Sequence, residues 1–192
     1  MYPLTLNLNG IAELNDDELF RLCEANKEIR IERNTHGELI LMAPTGSESS
    51  RKNNEIGRQL ANWNKEQGLG YTFDSSGGFR LPNGAMRAPD LAWIARERWE
   101  NLSDEERRTF APLTPDFIVE LMSDSDYPEL SRQKMEEWME NGCRLGWLID
   151  PEREEVHIYR QNGQRETVRG FDQTLSGEEI LPGFLLHLVE LR

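Results

Sequence analysis

The sequence predicts a single α/β domain with a central mixed sheet and helices on its faces. Its 192 residues suit one compact domain, and a composition of 37% hydrophobic and 30% charged residues is typical of a globular protein. The segments run in the order helix, mostly antiparallel strands, then strand–helix–strand, which requires a right-handed crossover and a parallel pair. We divide the domain 1–192 into an N-terminal helix and hairpin at 11–45 and a core at 46–192.

The N-terminal part begins with a helix and continues with a hairpin. The segment "NDDEL" (15–19) is typical of a helix start, with Asn15 as the N-cap and Glu18 three residues later. The runs "IRIER" and "ELILMAP" flank the turn-forming sequence "NTHG", which predicts two paired strands.

The first half of the core opens with a long helix and continues with short strands. Apolar residues at Ile56, Leu60 and Trp63 form one stripe and predict a helix from Ser47 to about residue 66. Three strands are predicted after it, at "GYTF", "GGFRL" and "MRAPDLAWI". The pattern Ser103-x-x-Glu106 then predicts the start of a short helix.

The second half of the core carries the strand–helix–strand unit. The run "PDFIVELMS" is apolar and predicts a buried strand. Pro128 opens the next helix, which stops near Gly142. Strands follow at "RLGWLID" and "EEVHIYR", and the tail "LSGEEILPGFLLHLVEL" predicts a turn and a last apolar segment. The N-terminal and C-terminal β segments are therefore additions to a central core.

Charge and hydropathy exclude several classes of protein. The formal net charge of −13 argues against a broad basic face that coats nucleic acid, although a small basic groove remains compatible with it. No apolar run approaches the roughly 20 residues of a membrane span, and the N-terminus lacks the features of a signal peptide. We expect a soluble cytoplasmic protein without membrane association.

A zinc site, a P-loop and a G-x-S-x-G serine nucleophile are not favoured, because their spacings do not occur.

Two Pro-Asp pairs and one glutamate raise the question of a metal site. Asp116 and Glu120 share a face of the strand predicted at "PDFIVELMS". A strand rises about 3.3 Å per residue, so these two acids lie roughly 13 Å apart along it. Because the oxygen ligands of Mg²⁺ lie about 2.0–2.1 Å from the ion, Asp116 and Glu120 are not a metal-binding pair.

Asp90 is the better partner for Glu120. Pro89 removes a ladder hydrogen bond and indicates a kink, bulge or edge next to Asp90. If the strands around Asp90 and Glu120 pair, the two acids approach to about 5 Å. They would repel each other unless a divalent cation or a proton lay between them.

Two further residues complete the candidate set. Lys134 lies on the helix that follows the Glu120 strand, from which its ammonium group could reach back to stabilise the developing charge of a phosphorane or to orient an attacking water. Glu55, on the first core helix, could supply a third carboxylate, to a metal or to the water. Plain structural interpretations remain open for all four: a strand-end acid for Asp90 and Glu120, and a solvated helix residue for Lys134 and Glu55.

These motifs resemble a known family. The segments "LPNGAMRAPDLAWI", "TPDFIVELMSDSD" and "QKMEEWMENGCRLGWLIDPEREEVHIYR" are similar to those of the Uma2 family (DUF820), which is abundant in cyanobacteria and belongs to the PD-(D/E)xK, restriction-endonuclease-like superfamily. The resemblance spans roughly residues 25–190. It implies an α/β/α endonuclease-like core that binds Mg²⁺ or Mn²⁺.

The resemblance also assigns roles to residues. Asp90 matches the Asp of Pro-Asp, and Glu120 matches the acid of (D/E)xK. Two residues after Glu120 the chain has Met122 instead of lysine, and the resemblance implies that Lys134, on the following helix, takes the lysine's role. Glu55 matches, more weakly, an acid on the first core helix of some relatives.

The function expected from the sequence is hydrolysis of phosphodiester bonds by a metal-dependent nuclease. Its partner would be nucleic acid, DNA before RNA, and a homodimer is expected by analogy alone. The alternative is a catalytically inactive binding or assembly module on a nuclease fold, which Met122 and the net charge of −13 favour. Fold alone does not choose between the two.

Overall fold

The computed structural model describes residues 4–42, 44–123 and 126–192. Its elements in chain order are β1 (Leu4–Leu6), α1 (Asp16–Ala25), β2 (Arg30–Arg33), β3 (Leu39–Met42), α2 (Ser47–Gln67), β4 (Gly70–Phe73), β5 (Phe79–Arg80), β6 (Met86–Arg87), β7 (Leu91–Ala95), α3 (Arg96–Glu100), α4 (Asp104–Arg108), β8 (Phe117–Leu121), α5 (Pro128–Glu140), β9 (Leu145–Asp150), β10 (Glu155–Arg160), β11 (Arg165–Arg169), β12 (Thr174–Ser176), β13 (Leu185–His187) and a final 3-10 helix (Leu188–Leu191). Residues 1–3, 43 and 124–125, which the predicted domain, hairpin and strand segments include, lie outside the described residues.

The central sheet has six strands within the described residues, in the order β11-β10-β9-β8-β7-β4. β8 and β9 run parallel, whereas the other neighbouring strands of this sheet are antiparallel. α5 connects β8 to β9, so the strand–helix–strand unit predicted from the sequence is confirmed. The prediction of a central mixed sheet is confirmed as well.

Helices cover both faces of the central sheet. Alternation along β7 and β8 sends successive side chains to opposite faces. One face packs against α2, and its buried residues include Ile56, Leu60, Trp63, Leu91, Val119 and Leu121. The other face packs against α5, and its buried residues include Ala92, Ile94, Ile118, Met135, Trp138 and Leu148. The apolar stripe predicted for α2 therefore faces the core as expected.

A second sheet, in the order β1-β3-β2-β6-β5, stands beside the first. The segment "MRAPDLAWI", predicted as one strand, is divided between the two sheets: β6 pairs with β2 and β5, and β7 pairs with β4 and β8. The prediction of a single strand is wrong, because Pro89 cannot donate a ladder hydrogen bond and the chain leaves one sheet there for the other. Residues 88–90 are called the crossing below.

The helix ends follow their local sequence signals. Reciprocal capping boxes join Asn15 with Glu18 at α1 and Ser103 with Glu106 at α4, each satisfying backbone groups that a helix end leaves unpaired. Pro128 is in the first turn of α5, and Gly142 follows the helix with φ of +99°, a conformation that favours glycine. Across the described parts of the chain, no helix combines the length and apolar content needed to cross a bilayer.

The carboxylate of Asp116, the residue before β8, is buried and has its partners within the fold. Its side chain is 1% exposed, and its Oδ2 accepts the backbone N–H of Ala95 at 2.9 Å. Its Oδ1 lies 2.8 Å from Arg98 and 3.6 Å from Arg144. Asp116 thus ties the end of β7 to the beginning of β8 and fixes their register.

We expect Asp116→Asn to destabilise the protein by about 1–3 kcal/mol, the cost of leaving a buried hydrogen-bonding group without its partner. An amide can still accept from Ala95, but its NH₂ group would meet the donors of Arg98. The midpoint of urea unfolding measures the change. Asp172→Asn is the matched control, since Asp172 pairs with Arg192 at 2.7 Å but is 79% exposed. Equal midpoints for both variants would contradict the role of Asp116.

Candidate active site

Asp90, the last residue of the crossing before β7, lies next to the end of β8, which carries Glu120. β7 and β8 are antiparallel with Leu91 opposite Val119, and Asp90 and Glu120 are the next residues along the two chains in that register. Directly opposed residues have Cβ atoms about 4.5–5.5 Å apart. Both side chains are on the α5 face of the central sheet, because they alternate with residues of the α2 face.

Asp90 holds the crossing to the end of β8. Its Oδ2 accepts the backbone N–H of Leu121 at 2.8 Å. Its Oδ1 accepts a hydrogen bond from the guanidinium group of Arg30 at 3.3 Å. The kink at Pro89 therefore aims the carboxylate at the neighbouring strand end instead of continuing the strand.

Lys134 reaches Glu120 from α5. Its Nζ lies 2.9 Å from Oε1 of Glu120 and donates to the carbonyl oxygen of Ala88 at 3.1 Å. Nε1 of Trp138, also on α5, donates to the same Oε1 of Glu120 at 3.0 Å. Three of the four residues chosen from the sequence, Asp90, Glu120 and Lys134, are therefore brought together.

Glu32, from β2, is a fourth member that the sequence analysis missed. It is 1% exposed. Its Oε1 accepts from Nζ of Lys134 at 3.0 Å and from the backbone N–H of Ala88 at 3.1 Å, and its Oε2 accepts from Arg87 at 3.0 Å. The available signal was the alternation of "IRIER", which places Arg30 and Glu32 on one face of a strand.

Glu55 lies elsewhere. It is on α2, which packs on the opposite face of the central sheet from Asp90 and Glu120. Its carboxylate accepts hydrogen bonds from Arg58 at 2.8 Å and from Gln59 at 2.9 Å. The structure does not bring Glu55 together with the other three candidates.

The two buried glutamates that share Lys134 differ in their pKa values. Burial acts to raise the pKa of Glu32, but the charges of Lys134, Arg87 and Arg30 outweigh it and lower that pKa to about 2. Burial also raises the pKa of Glu120, and because neighbouring carboxylates add to this effect, the attraction of Lys134 does not compensate and the pKa rises to about 7. Glu32 is firmly ionised, whereas Glu120 carries an incompletely neutralised charge.

Lys134 keeps its proton. Burial acts to lower its pKa, but the negative charges of Glu120 and Glu32 outweigh that effect and raise it. An ammonium group with three donors can serve its three neighbouring oxygens at once. The site therefore contains a fixed positive charge beside an acid that has too little positive charge around it.

The carboxylates of Asp90 and Glu120 are oxygen donors of the kind that hard divalent cations take. Among the described residues, no three Asp, Glu, His or Cys side chains are grouped as a metal ion would require. Mg²⁺, however, is usually held by one or two carboxylates together with waters and substrate phosphates. These two carboxylates supply such a pair, and the uncompensated charge on Glu120 favours a cation there.

Comparison with known proteins agrees with this architecture. Residues 16–189 match the model of the Uma2 family, described as "Putative restriction endonuclease". A crystal structure of a "putative nuclease belonging to DUF820" from Anabaena variabilis superposes with a TM-score of 0.75, covering 93% of this chain and 97% of that chain at 19% sequence identity. No protein of curated function matches the sequence.

That crystal structure, at its low sequence identity, shows the shared fold. The family match extends over nearly the whole chain, including β2, the crossing, β8 and α5. The chain therefore belongs to the Uma2 family.

Proposed function

We propose that this protein is a divalent-metal-dependent nuclease that hydrolyses phosphodiester bonds of nucleic acid, with DNA as the preferred substrate. The observation that carries the proposal is the contact of Asp90 with the end of β8, where its Oδ2 accepts the N–H of Leu121, the residue next to Glu120, at 2.8 Å. The ammonium group of Lys134 lies 2.9 Å from Glu120. The description of the family, "Putative restriction endonuclease", supports the same reaction.

The carboxylates of Asp90 and Glu120 would hold the ion, Mg²⁺ or Mn²⁺. A bound divalent ion polarises a phosphodiester and lowers the pKa of water, which provides a nucleophile at neutral pH. Asp90 is oriented for this role by Leu121 and Arg30, and Glu120 by Trp138.

Lys134 contributes a fixed positive charge. Negative charge develops on the phosphate oxygens as the phosphodiester is attacked, and a preorganised ammonium group stabilises it without reorganisation of solvent. Because the pKa of Lys134 is raised by Glu120 and Glu32 despite burial, the group acts as a cation and not as a proton acceptor. Met122 is buried in the α5-side core, so the positive charge comes from α5 and not from β8.

We expect Asp90→Asn and Glu120→Gln each to lower the rate of Mn²⁺-dependent DNA cleavage at least about 100-fold. Metal ions contribute several kcal/mol to such reactions, and each 1.4 kcal/mol is a factor of about ten in rate. Single-stranded, duplex and branched DNA are the substrates to assay with Mg²⁺ and Mn²⁺. Glu136→Gln, an exposed acid on α5, is the control and keeps wild-type activity.

The same assay has two decisive outcomes. Unchanged cleavage in Asp90→Asn and Glu120→Gln would overturn the site. A wild-type protein that neither binds Mn²⁺ in calorimetry nor cleaves any substrate would overturn the nuclease proposal and favour a binding or assembly module. Glu55→Gln belongs in the series, and we expect it to remain active because Glu55 pairs with Arg58 and Gln59 on the other face of the sheet.

We expect the free energy of unfolding to change in opposite directions when each of the two buried glutamates, Glu120 and Glu32, is replaced by glutamine. A pKa raised from 4.5 to about 7 means that the folded protein favours the neutral form of Glu120, so ionised Glu120 lowers stability at pH 8. We therefore expect Glu120→Gln to stabilise the metal-free protein at pH 8. Glu32→Gln should destabilise it by about 3–5 kcal/mol, since it leaves buried cations without their acid.

The sign of the pH dependence provides a check. The folded protein binds the Glu120 proton more tightly than the unfolded chain, so the stability lost to Glu120 is fully present above pH 7 and disappears as the pH falls to about 4.5. The gain in Glu120→Gln should shrink over that range in urea unfolding without metal. A gain that stayed constant from pH 8 to pH 5, or a loss of stability at pH 8, would contradict this account.

A further inference from the structure

We propose that Glu32 is a positioning residue of the site, which holds the ammonium group of Lys134 against Glu120 from the N-terminal sheet. The contact is long-range in sequence, since Glu32 and Lys134 are 102 residues apart. The effect on catalysis rests on the function proposed above, whereas the anchoring of Lys134 does not.

Lys134 needs an anchor because its charge is at the end of a flexible side chain, on a helix and not on the strand that carries Glu120. A lysine side chain is a compact charge on a flexible four-carbon stem, and helix α5 is joined to the strand of Glu120 by an intervening segment. Its ammonium group is held by Glu120 at 2.9 Å, Glu32 at 3.0 Å and the carbonyl of Ala88 at 3.1 Å. Two of these three acceptors come from the N-terminal sheet and the crossing.

Glu32 is itself immobilised. Its Oε2 accepts from Arg87 at 3.0 Å, and its Oε1 from the backbone N–H of Ala88 at 3.1 Å. Arg87 in turn pairs with Glu137 of α5 at 2.5 Å. The acid that holds Lys134 is therefore braced against the same helix that carries Lys134.

The burial of Glu32 distinguishes a positioning role from direct contact with the substrate. Glu32 is 1% exposed, so a nucleic acid cannot touch it without rearrangement of the protein. Glu32 therefore acts on the site through its hydrogen bond with Lys134. A residue that acts in this way should change the rate of the chemical step more than the binding of substrate.

The first test is chemical labelling of lysines with acetic anhydride, followed by mass spectrometry, which requires no catalysis. Lys27 and Lys65 are exposed and serve as internal references. In the wild-type protein we expect Lys134 to be labelled much more slowly than these two. Glu32→Gln should accelerate labelling of Lys134 several-fold relative to the references, and Glu32→Asp, which keeps the charge on a shorter stem, should give an intermediate rate.

Asp116→Asn controls for general loss of stability, because Asp116 ties β7 to β8 without contacting Lys134. That variant should leave the relative labelling of Lys134 as in wild type. The proposal is overturned if Lys134 of the wild type reacts as fast as Lys65. Should Glu32→Gln not fold, Glu32→Asp and the wild type decide: an unchanged labelling rate in Glu32→Asp overturns the proposal.

The second test is kinetic. With Mn²⁺ and DNA, we expect Glu32→Gln to lower kcat roughly 10- to 100-fold, as for residues that orient groups at metal sites, with KM for DNA little changed and partial recovery in Glu32→Asp. An active wild type with unaltered kcat in Glu32→Gln overturns the proposal. If the wild type cleaves nothing, the proposed function fails, and the labelling result alone supports or overturns the anchoring by Glu32.

Discussion

One ammonium group shared by two buried carboxylates is the interaction on which this site depends. Charged groups leave water only when they are paired, and Lys134 is the partner common to Glu32 and Glu120. The sharing is unequal, because Glu32 also has Arg87 at 3.0 Å and Arg30 at 3.9 Å. Glu32 therefore stays ionised, while Glu120 remains the acid whose charge is least satisfied and most ready to accept a further cation.

The crossing between the two sheets provides the rest of the framework. The backbone N–H of Ala88 donates to Glu32, and its carbonyl oxygen accepts hydrogen bonds from Lys134 and Arg30. These backbone groups are free for side chains because Pro89 interrupts the ladder and the chain changes sheets there. The same kink turns Asp90 towards Glu120. The change of sheet at Pro89 thus brings the carboxylate of Asp90, the ammonium group of Lys134 and the N-terminal sheet together at the crossing.

Strand geometry made part of this site predictable. The period of two along "PDFIVELMS" and the rise per residue separated Asp116 from Glu120, and Asp116 does have structural partners, Ala95 and Arg98. Glu32 was not predictable, since alternation in "IRIER" defines a face but not what that face meets 56 residues later. Glu55 illustrates the converse limit: a sheet has two faces, and the apolar stripe of α2 does not tell which one the helix covers.

In the proposed site, Met122 two residues after Glu120 and the buried Glu32 are connected by one physical argument. A lysine two residues after Glu120 would extend from the backbone directly past the end of β8, close to Glu120. That position is Met122, packed in the core beneath α5, so the cation comes from a helix on the far side of that core. A lysine side chain loses rotamer freedom when its ammonium group is fixed, and a charged hydrogen bond donated to a rigid carboxylate offsets that loss. In the proposed site, a lysine on α5 gains this support from Glu32 of β2, 3.0 Å from its ammonium group.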